Sequence, residues 1–210
     1  MKKYVQYGCG LSSPEEWINF DSSPTLRIQR LPVIGSLVKK RLNVVFPTNI
    51  RYGDIVKGLP LDAGSCDGLY CSHVLEHLSR DDFYKALKNS YGSLKEGGIF
   101  RLVMPDLESL IKSYMANKEA GNAMASDTFI RVAGVGMEKR KRGLRAFLSA
   151  SFGNSNHLWL WDKESTLSVL KEIGFGDVRA CQFNDSTDEM FRFVEEKSRF
   201  EDAVCFEMTK

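Results

Sequence analysis

No uninterrupted apolar run in this sequence approaches the roughly 18 residues that a membrane-crossing helix needs. Lys2 and Lys3 lead into no apolar stretch long enough for a secretory leader. Cysteine pairing is missing too. Cys9, Cys66, Cys71, Cys181 and Cys205 are odd in number and include no Cys-x-x-Cys unit, which argues against a disulfide framework or a zinc ribbon. They sit inside apolar runs, as buried thiols do, so a reduced, cytoplasmic setting is expected. Net charge is only +2, too small to imply nucleic acid by itself. There is no internal repeat and no low-complexity tract. Histidine is scarce: His73, His77 and His157 are the full set.

What is present is a globular composition, 43% hydrophobic and 27% charged, at a length that suits one domain over residues 1–210. Short apolar runs alternate with helical patterns, as in an α/β layer fold. Strands are expected at Tyr4–Tyr7, Trp17–Phe20, Cys66–Cys71, Ile99–Met104, Val178–Phe183 and Val204–Met208. The fourth of these is bounded by Gly97-Gly98 and Pro105. Ser79 caps a helix carrying Phe83, Leu87, Ser90, Tyr91 and Leu94 on one face, with Asp82 placed as in a capping box. Further helices are expected over Leu107–Ala120, with Asp106 as its cap, and over Lys163–Ile173, between Asp162 and Gly174. Two stretches break the alternation and read as insertions, residues 22–50 and 121–156. The first has no acid from Ser22 to Asn49, and the second holds "EKRKRGLR" from Glu138 to Arg145.

The opening strand ends in Gly8-Cys9-Gly10, and an acid, Asp21, ends the next. In open α/β sheets ligands lie beyond the carboxyl ends of the strands. Glycine there lets the chain bend and a ligand approach, and a carboxylate on the second strand can accept hydrogen bonds from both ribose hydroxyls. A dinucleotide site would need Gly-x-Gly-x-x-Gly opening a helix. Ser13 occupies the third glycine's place and Pro14 follows, which counts against that alternative.

Taken with "INFD", "SHVLEHL", "SLKEGGIFRLVMPD" and "LKEIGFGDVRA", the sequence resembles the class I S-adenosylmethionine-dependent methyltransferases from Lys3 to about Phe183. It is most similar to small-molecule types whose fourth strand runs into "HVLEH", many of them associated with saccharide biosynthesis. The resemblance implies a Rossmann-like, seven-stranded, mostly parallel sheet with an antiparallel last strand and helices on both faces. It implies Gly8, Cys9 and Gly10 beside the methionine portion of S-adenosylmethionine, Asp21 on the ribose, Asp54 on the adenine amino group and Ile55 on the ring. Ser72 and His73 would lie near the sulfonium. The sequence departs from the family in the first loop, where the third glycine is missing and the usual first helix must be shortened to a turn or displaced.

A hydroxyl acceptor would call for a base, and His73, His77 and His157 are the candidates. If "HVLEH" is helical, His73 and His77 share a face and Glu76 is turned away. With Cys71 they form one local cluster without a distant partner, so no metal is expected. His77 reads equally as a packed residue under the sheet edge. His157, with Trp159 and Trp161, reads as a wall for a sugar-like acceptor or as the edge of a core. The basic segment 22–50 reads first as a lid over the cofactor and second as a membrane-surface contact, and "EKRKRGLR" as solvated surface or as a field for an anionic acceptor. No Asn-Pro-Pro-Tyr unit follows the fourth strand, which counts against nucleic acid as acceptor. The expected function is O-methylation of a small-molecule or saccharide-precursor acceptor. The alternative is a non-catalytic cofactor-binding module.

Overall fold

The computed structural model describes residues 2–32, 44–138 and 156–210. Its strands are β1 (Tyr4–Tyr7), β2 (Ile18–Asp21), β3 (Ile50–Tyr52), β4 (Cys66–Ser72), β5 (Leu94–Pro105), β6 (Gly176–Ala180) and β7 (Ala203–Thr209). The helices are α1 (Pro24–Gln29), α2 (Arg80–Ser93), α3 (Leu107–Glu119), α4 (Ala125–Val132) and α5 (Lys163–Ile173). They build a seven-stranded sheet in the order β3-β2-β1-β4-β5-β7-β6. The pairings from β3 to β5 are parallel, and β7 runs antiparallel to both its neighbours. The strand order reverses direction at β1, which leaves a crevice over the carboxyl ends of β1 and β4.

Alternation along the strands assigns each side chain to a face. Val5, Tyr7, Leu69, Cys71, Phe100, Leu102 and Phe206 point to one face, where Phe83, Ala86 and Leu87 of α2 and Val169 and Leu170 of α5 close the main core. The local signals for these helices hold: the Ser79 hydroxyl accepts from Asp82 N–H, Asp162 and Ser165 form a capping box, and Gly174 ends α5 at φ +110°. Asp106 caps α3 by accepting from Glu108 N–H. Strand β5 differs from expectation. It runs on through Gly97-Gly98 to Leu94, because Gly97 takes φ +73° and a Cβ at Gly98 would meet Cys66 O at 2.9 Å. Glycine there permits close strand approach rather than ending the strand.

The opposite face carries Tyr4, Tyr70, Val103 and Cys205 beside Gln6, Asn19, Arg101 and Glu207. Between β1 and β2 the structure has turns and no helix. The loop is held instead by polar bonds, Gln6 Nε2 donating to Asn19 Oδ1 at 2.6 Å and to Ser12 O at 3.2 Å. Residues 188–200, two 3-10 turns at Glu189–Phe193 and Lys197–Phe200, cover this face. Trp17 anchors them by donating to Met190 O and by packing edge-on against Phe191. Beside them the fully buried Arg101 gathers Glu195, Asp185, Glu207 and the Gln182 carbonyl at 2.5–3.0 Å. A buried cation with that many acceptors ties the covering segment to the sheet. Among the described residues no helix is long and apolar enough to cross a membrane.

Candidate functional site

Two cavities meet at Gly8. The larger, about 670 Å³, lies over the carboxyl ends of β2, β3 and β4 and is lined by Gly8, Asp21, Arg27, Asp54, His73 and His77 among others. The smaller, about 290 Å³, lies on the side of the covering segment, with Ser12, Tyr70, Ser72, Glu195 and Arg199 in its wall. Gly8 takes φ +64°, and a Cβ there would fall 2.1 Å from the Val74 side chain. Its glycine is therefore required by the backbone turn and by Val74. Gly10, at φ +57°, faces open space. Cys9 packs with Leu26, Phe46 and Ile50, and burial, followed by the charge of Asp21, pushes its thiol up to about 12.

Asp21 is 9% exposed and already holds two backbone donors: Gly10 N–H on Oδ2 at 3.0 Å and Ser23 N–H on Oδ1 at 2.7 Å. A carboxylate has about four acceptor sites, so two remain toward the larger cavity. Asp54 accepts from Val56 N–H at 3.0 Å and lies 3.4 Å from Lys57. Ile55 departs from its expected place. Its side chain belongs to the main core and does not line either cavity described above, and its carbonyl is held by Asn89. Ser72 is buried with its hydroxyl unpartnered at the smaller cavity. An orphaned hydroxyl, two positive-φ glycines and a rim carboxylate with spare acceptor capacity suit a ligand carrying a diol and polar termini.

The three histidines converge. His73 adopts φ +54°, so "HVLEH" does not continue as an α-helix, and Leu75–His77 form a single 3-10 turn. Glu76 consequently points inward, 1% exposed, instead of away from the histidines. Its Oε1 lies 3.5 Å from His73 Nδ1, 4.0 Å from His77 Nε2 and 3.9 Å from His157 Nε2. The sequence reading missed Glu76 because the i, i+4 face rule assumes an α-helix, and this segment is none. His73 Nε2 also meets Arg199 O at 2.8 Å. Burial works against its charged form, but the Glu76 carboxylate and the Arg199 carbonyl outweigh it and raise the imidazole above its ordinary value.

Carbonyl oxygens only accept, so Nδ1 of His77 donates to Asn156 O at 3.2 Å and Nδ1 of His157 to Ala133 O at 2.8 Å. In the neutral rings both Nε2 atoms carry lone pairs. Burial lowers the basicity of His157, against the pull of Glu76. The two rings meet edge-on at 4.8 Å. Gly134, at φ +64°, makes room for this arrangement, since a Cβ there would lie 3.0 Å from the His157 ring. The tryptophans part company: Trp161 stacks on Phe83 at 4.6 Å, while Trp159 is 43% exposed. Within the two insertions, residues 33–43 and 139–155, including Lys139–Arg145 of the basic cluster, lie outside the described residues.

Residues 6–102 match the model of a family described as a methyltransferase domain. No curated protein matches the sequence. Among solved structures, the fold is similar to a S-adenosylmethionine-dependent methyltransferase from Archaeoglobus fulgidus, at 16% identity and TM-score 0.51, covering 100% of this chain and 86% of the other. It is also similar to a S-adenosylmethionine-dependent methyltransferase from Thermotoga maritima, at 19% identity and TM-score 0.52, covering 100% and 82%. Residues 6–102 therefore match a methyltransferase-domain model, and the chain has the fold of the S-adenosylmethionine-dependent methyltransferases.

Proposed function

We propose that this enzyme is a single domain that methylates a hydroxyl oxygen of a small polar acceptor of the saccharide-precursor kind, in the cytoplasm. The observation that carries the reading is His77. Its ring lines the larger cavity, its Nδ1 is committed to a carbonyl, and its Nε2 stands 4.0 Å from a buried carboxylate with no hydrogen bond of its own.

In this reading the Gly8-Cys9-Gly10 turn, Ser72 and His73 lie beside the methionine portion, Asp21 accepts the ribose hydroxyls, and Asp54 accepts from the adenine amino group. Ile55 braces the Asp54 turn from the core. Bound S-adenosylmethionine supplies an electrophilic methyl group on sulfur. The chain's own task is to hold the acceptor oxygen in line with it, a positioning effect worth roughly 7–11 kcal/mol in favourable cases. As the oxygen–carbon bond forms and the carbon–sulfur bond breaks, the hydroxyl proton passes to His77 Nε2. The Glu76 carboxylate stabilises the resulting imidazolium, and His157 and His73 keep Glu76 in place.

Calorimetric titration with S-adenosylmethionine, S-adenosylhomocysteine and NAD is the direct test, followed by methyl transfer to a panel of sugar derivatives. The expected result is binding of the two adenosyl ligands and not NAD, with His77→Ala slowing transfer about 10²–10⁴-fold at unchanged cofactor affinity. Full-rate transfer by His77→Ala would end the base assignment, and absence of adenosyl binding would end the cofactor geometry.

A further inference from the structure

We propose that Glu76, His77 and His157 form a binding site for one divalent first-row cation of the zinc type, open toward the larger cavity. The proposal rests on the functional reading above for what the ion does, but not for whether it binds.

The ligand atoms are gathered already. One ligand atom each from Glu76, His77 and His157 lies within 4.8 Å of the other two, and Glu76 Oε1 is 4.0 Å from His77 Nε2 and 3.9 Å from His157 Nε2. Zinc bonds of about 2.0–2.2 Å place tetrahedral ligand atoms about 3.4 Å apart, so rotations of the imidazoles and the carboxylate that close the cluster by about an ångström complete the set. Two histidines and a glutamate are a donor set that zinc accepts with its fourth position left open.

Three independent features distinguish this from histidines packed by chance. Both Nδ1 atoms donate to backbone carbonyls, Asn156 O and Ala133 O. That is the outer-shell arrangement that fixes the tautomer leaving Nε2 for a metal. Glu76 is 1% exposed, yet neither of its carboxylate oxygens has a hydrogen-bond partner, the nearest basic atom being His73 Nδ1 at 3.5 Å. Burying a carboxylate without hydrogen bonds is costly, and a cation at this point removes the cost. The backbone is also built around the cluster, since Leu158 N–H and Trp159 N–H both bond the Glu76 carbonyl, at 2.7 and 3.2 Å. Those bonds pin the loop that bears His157 against the turn that bears Glu76 and His77.

The sequence offered no distant partner for the His73–His77 pair; His157, brought in by that loop, supplies one. With an ion in place His77 Nε2 is a ligand and no longer a base. The ion would then bind the acceptor oxygen and make its hydroxyl more acidic, the proton leaving to solvent as the oxygen–carbon bond forms and the carbon–sulfur bond of the cofactor breaks.

Equilibrium dialysis of the full chain against Zn²⁺, with Mg²⁺ as control, tests the site without reference to methyl transfer. The expected result is one zinc ion per chain, no comparable magnesium uptake, and a loss of zinc affinity of at least roughly tenfold in His157→Gln and in Glu76→Gln. Circular dichroism confirms that each variant is folded, and His157→Gln, at a partly exposed position, is the safer of the two. The Co²⁺-loaded protein should show visible bands of a low-coordinate nitrogen and oxygen site. A thiolate charge-transfer band would place the ion on cysteine and overturn the proposal, as would zinc affinity unchanged in both variants or no uptake at all. Failure of the functional reading has a different signature, loss of adenosyl-ligand binding with zinc uptake intact.

Discussion

Replacing Asp21 by alanine should injure the fold as well as cofactor binding, because the carboxylate is already in use before any ligand arrives. Gly10 N–H and Ser23 N–H donate to its two oxygens at 3.0 and 2.7 Å. Hydrogen bonds to a charged group contribute about 1.5–3 kcal/mol each. Ser23 lines the larger cavity and Gly10 faces open space, so water can replace part of this, and a loss of about 2–4 kcal/mol is expected in place of the full sum. For a chain of this length, about 2–4 °C of Tm per kcal/mol makes that a fall of about 5–15 °C. Asp21→Asn should not rescue it. An amide matches one of the two N–H donors with its oxygen and opposes the other with its own NH2. Losing the acceptors proposed for the ribose hydroxyls should also weaken S-adenosylhomocysteine at least tenfold, or about 1.4 kcal/mol. Thermal melts and calorimetric titration read the two effects separately. A Tm within about 1 °C of the parent would refute the bracing role, and unchanged affinity would refute the ribose assignment.

Arg101→Ala should cost about 3–5 kcal/mol in denaturant unfolding, because it strands the fully buried Glu195 carboxylate. Adding Glu195→Ala should restore part of that loss, and a single mutant as stable as the parent would remove the charged tie from the covering segment. Acid should weaken the fold through Asp162, whose carboxyl is held below its ordinary value by the Ser165 hydroxyl and N–H. With the folded value below the unfolded one, the stabilisation is present above about pH 4 and is lost as pH falls through the folded value. Asp162→Asn keeps a cap and removes the titration, so its stability should fall less steeply below pH 4; identical slopes would contradict the cause.

Much of the scaffold was readable because it is locally encoded. Ser79, Asp106, Asp162 and Gly174 mark helix ends through bonds made within a few residues, and β1, β4 and β7 are short apolar runs with polar or glycine flanks. Strand β3 was not readable, since three residues, two of them exposed, carry no periodicity. Helix α4 lay within a stretch rich in glycine and alanine that resembles a loop. The cover of the second face was missed for another reason: Trp17, Arg101 and residues 188–200 are separated in sequence and share no motif. The candidate site divides along the same line. Gly8, Asp21 and His73 could be placed from their positions after short apolar runs, and Asp54 only through the family resemblance. Glu76 could not, because the left-handed backbone at His73 changes which way the following side chains point.

The sheet order has a bearing on how copies of this protein meet. Its two outer strands are β3, three residues long, and β6, which opens on glycine, carries Asp177 and Arg179, and shifts register against β7 between Gly176 and Arg179. A strand from another chain finds few regularly spaced free amides and carbonyls on either border, and charge along one of them. Growth of the sheet from molecule to molecule is thereby discouraged, and self-association, where it occurs, is directed to helical and loop surfaces.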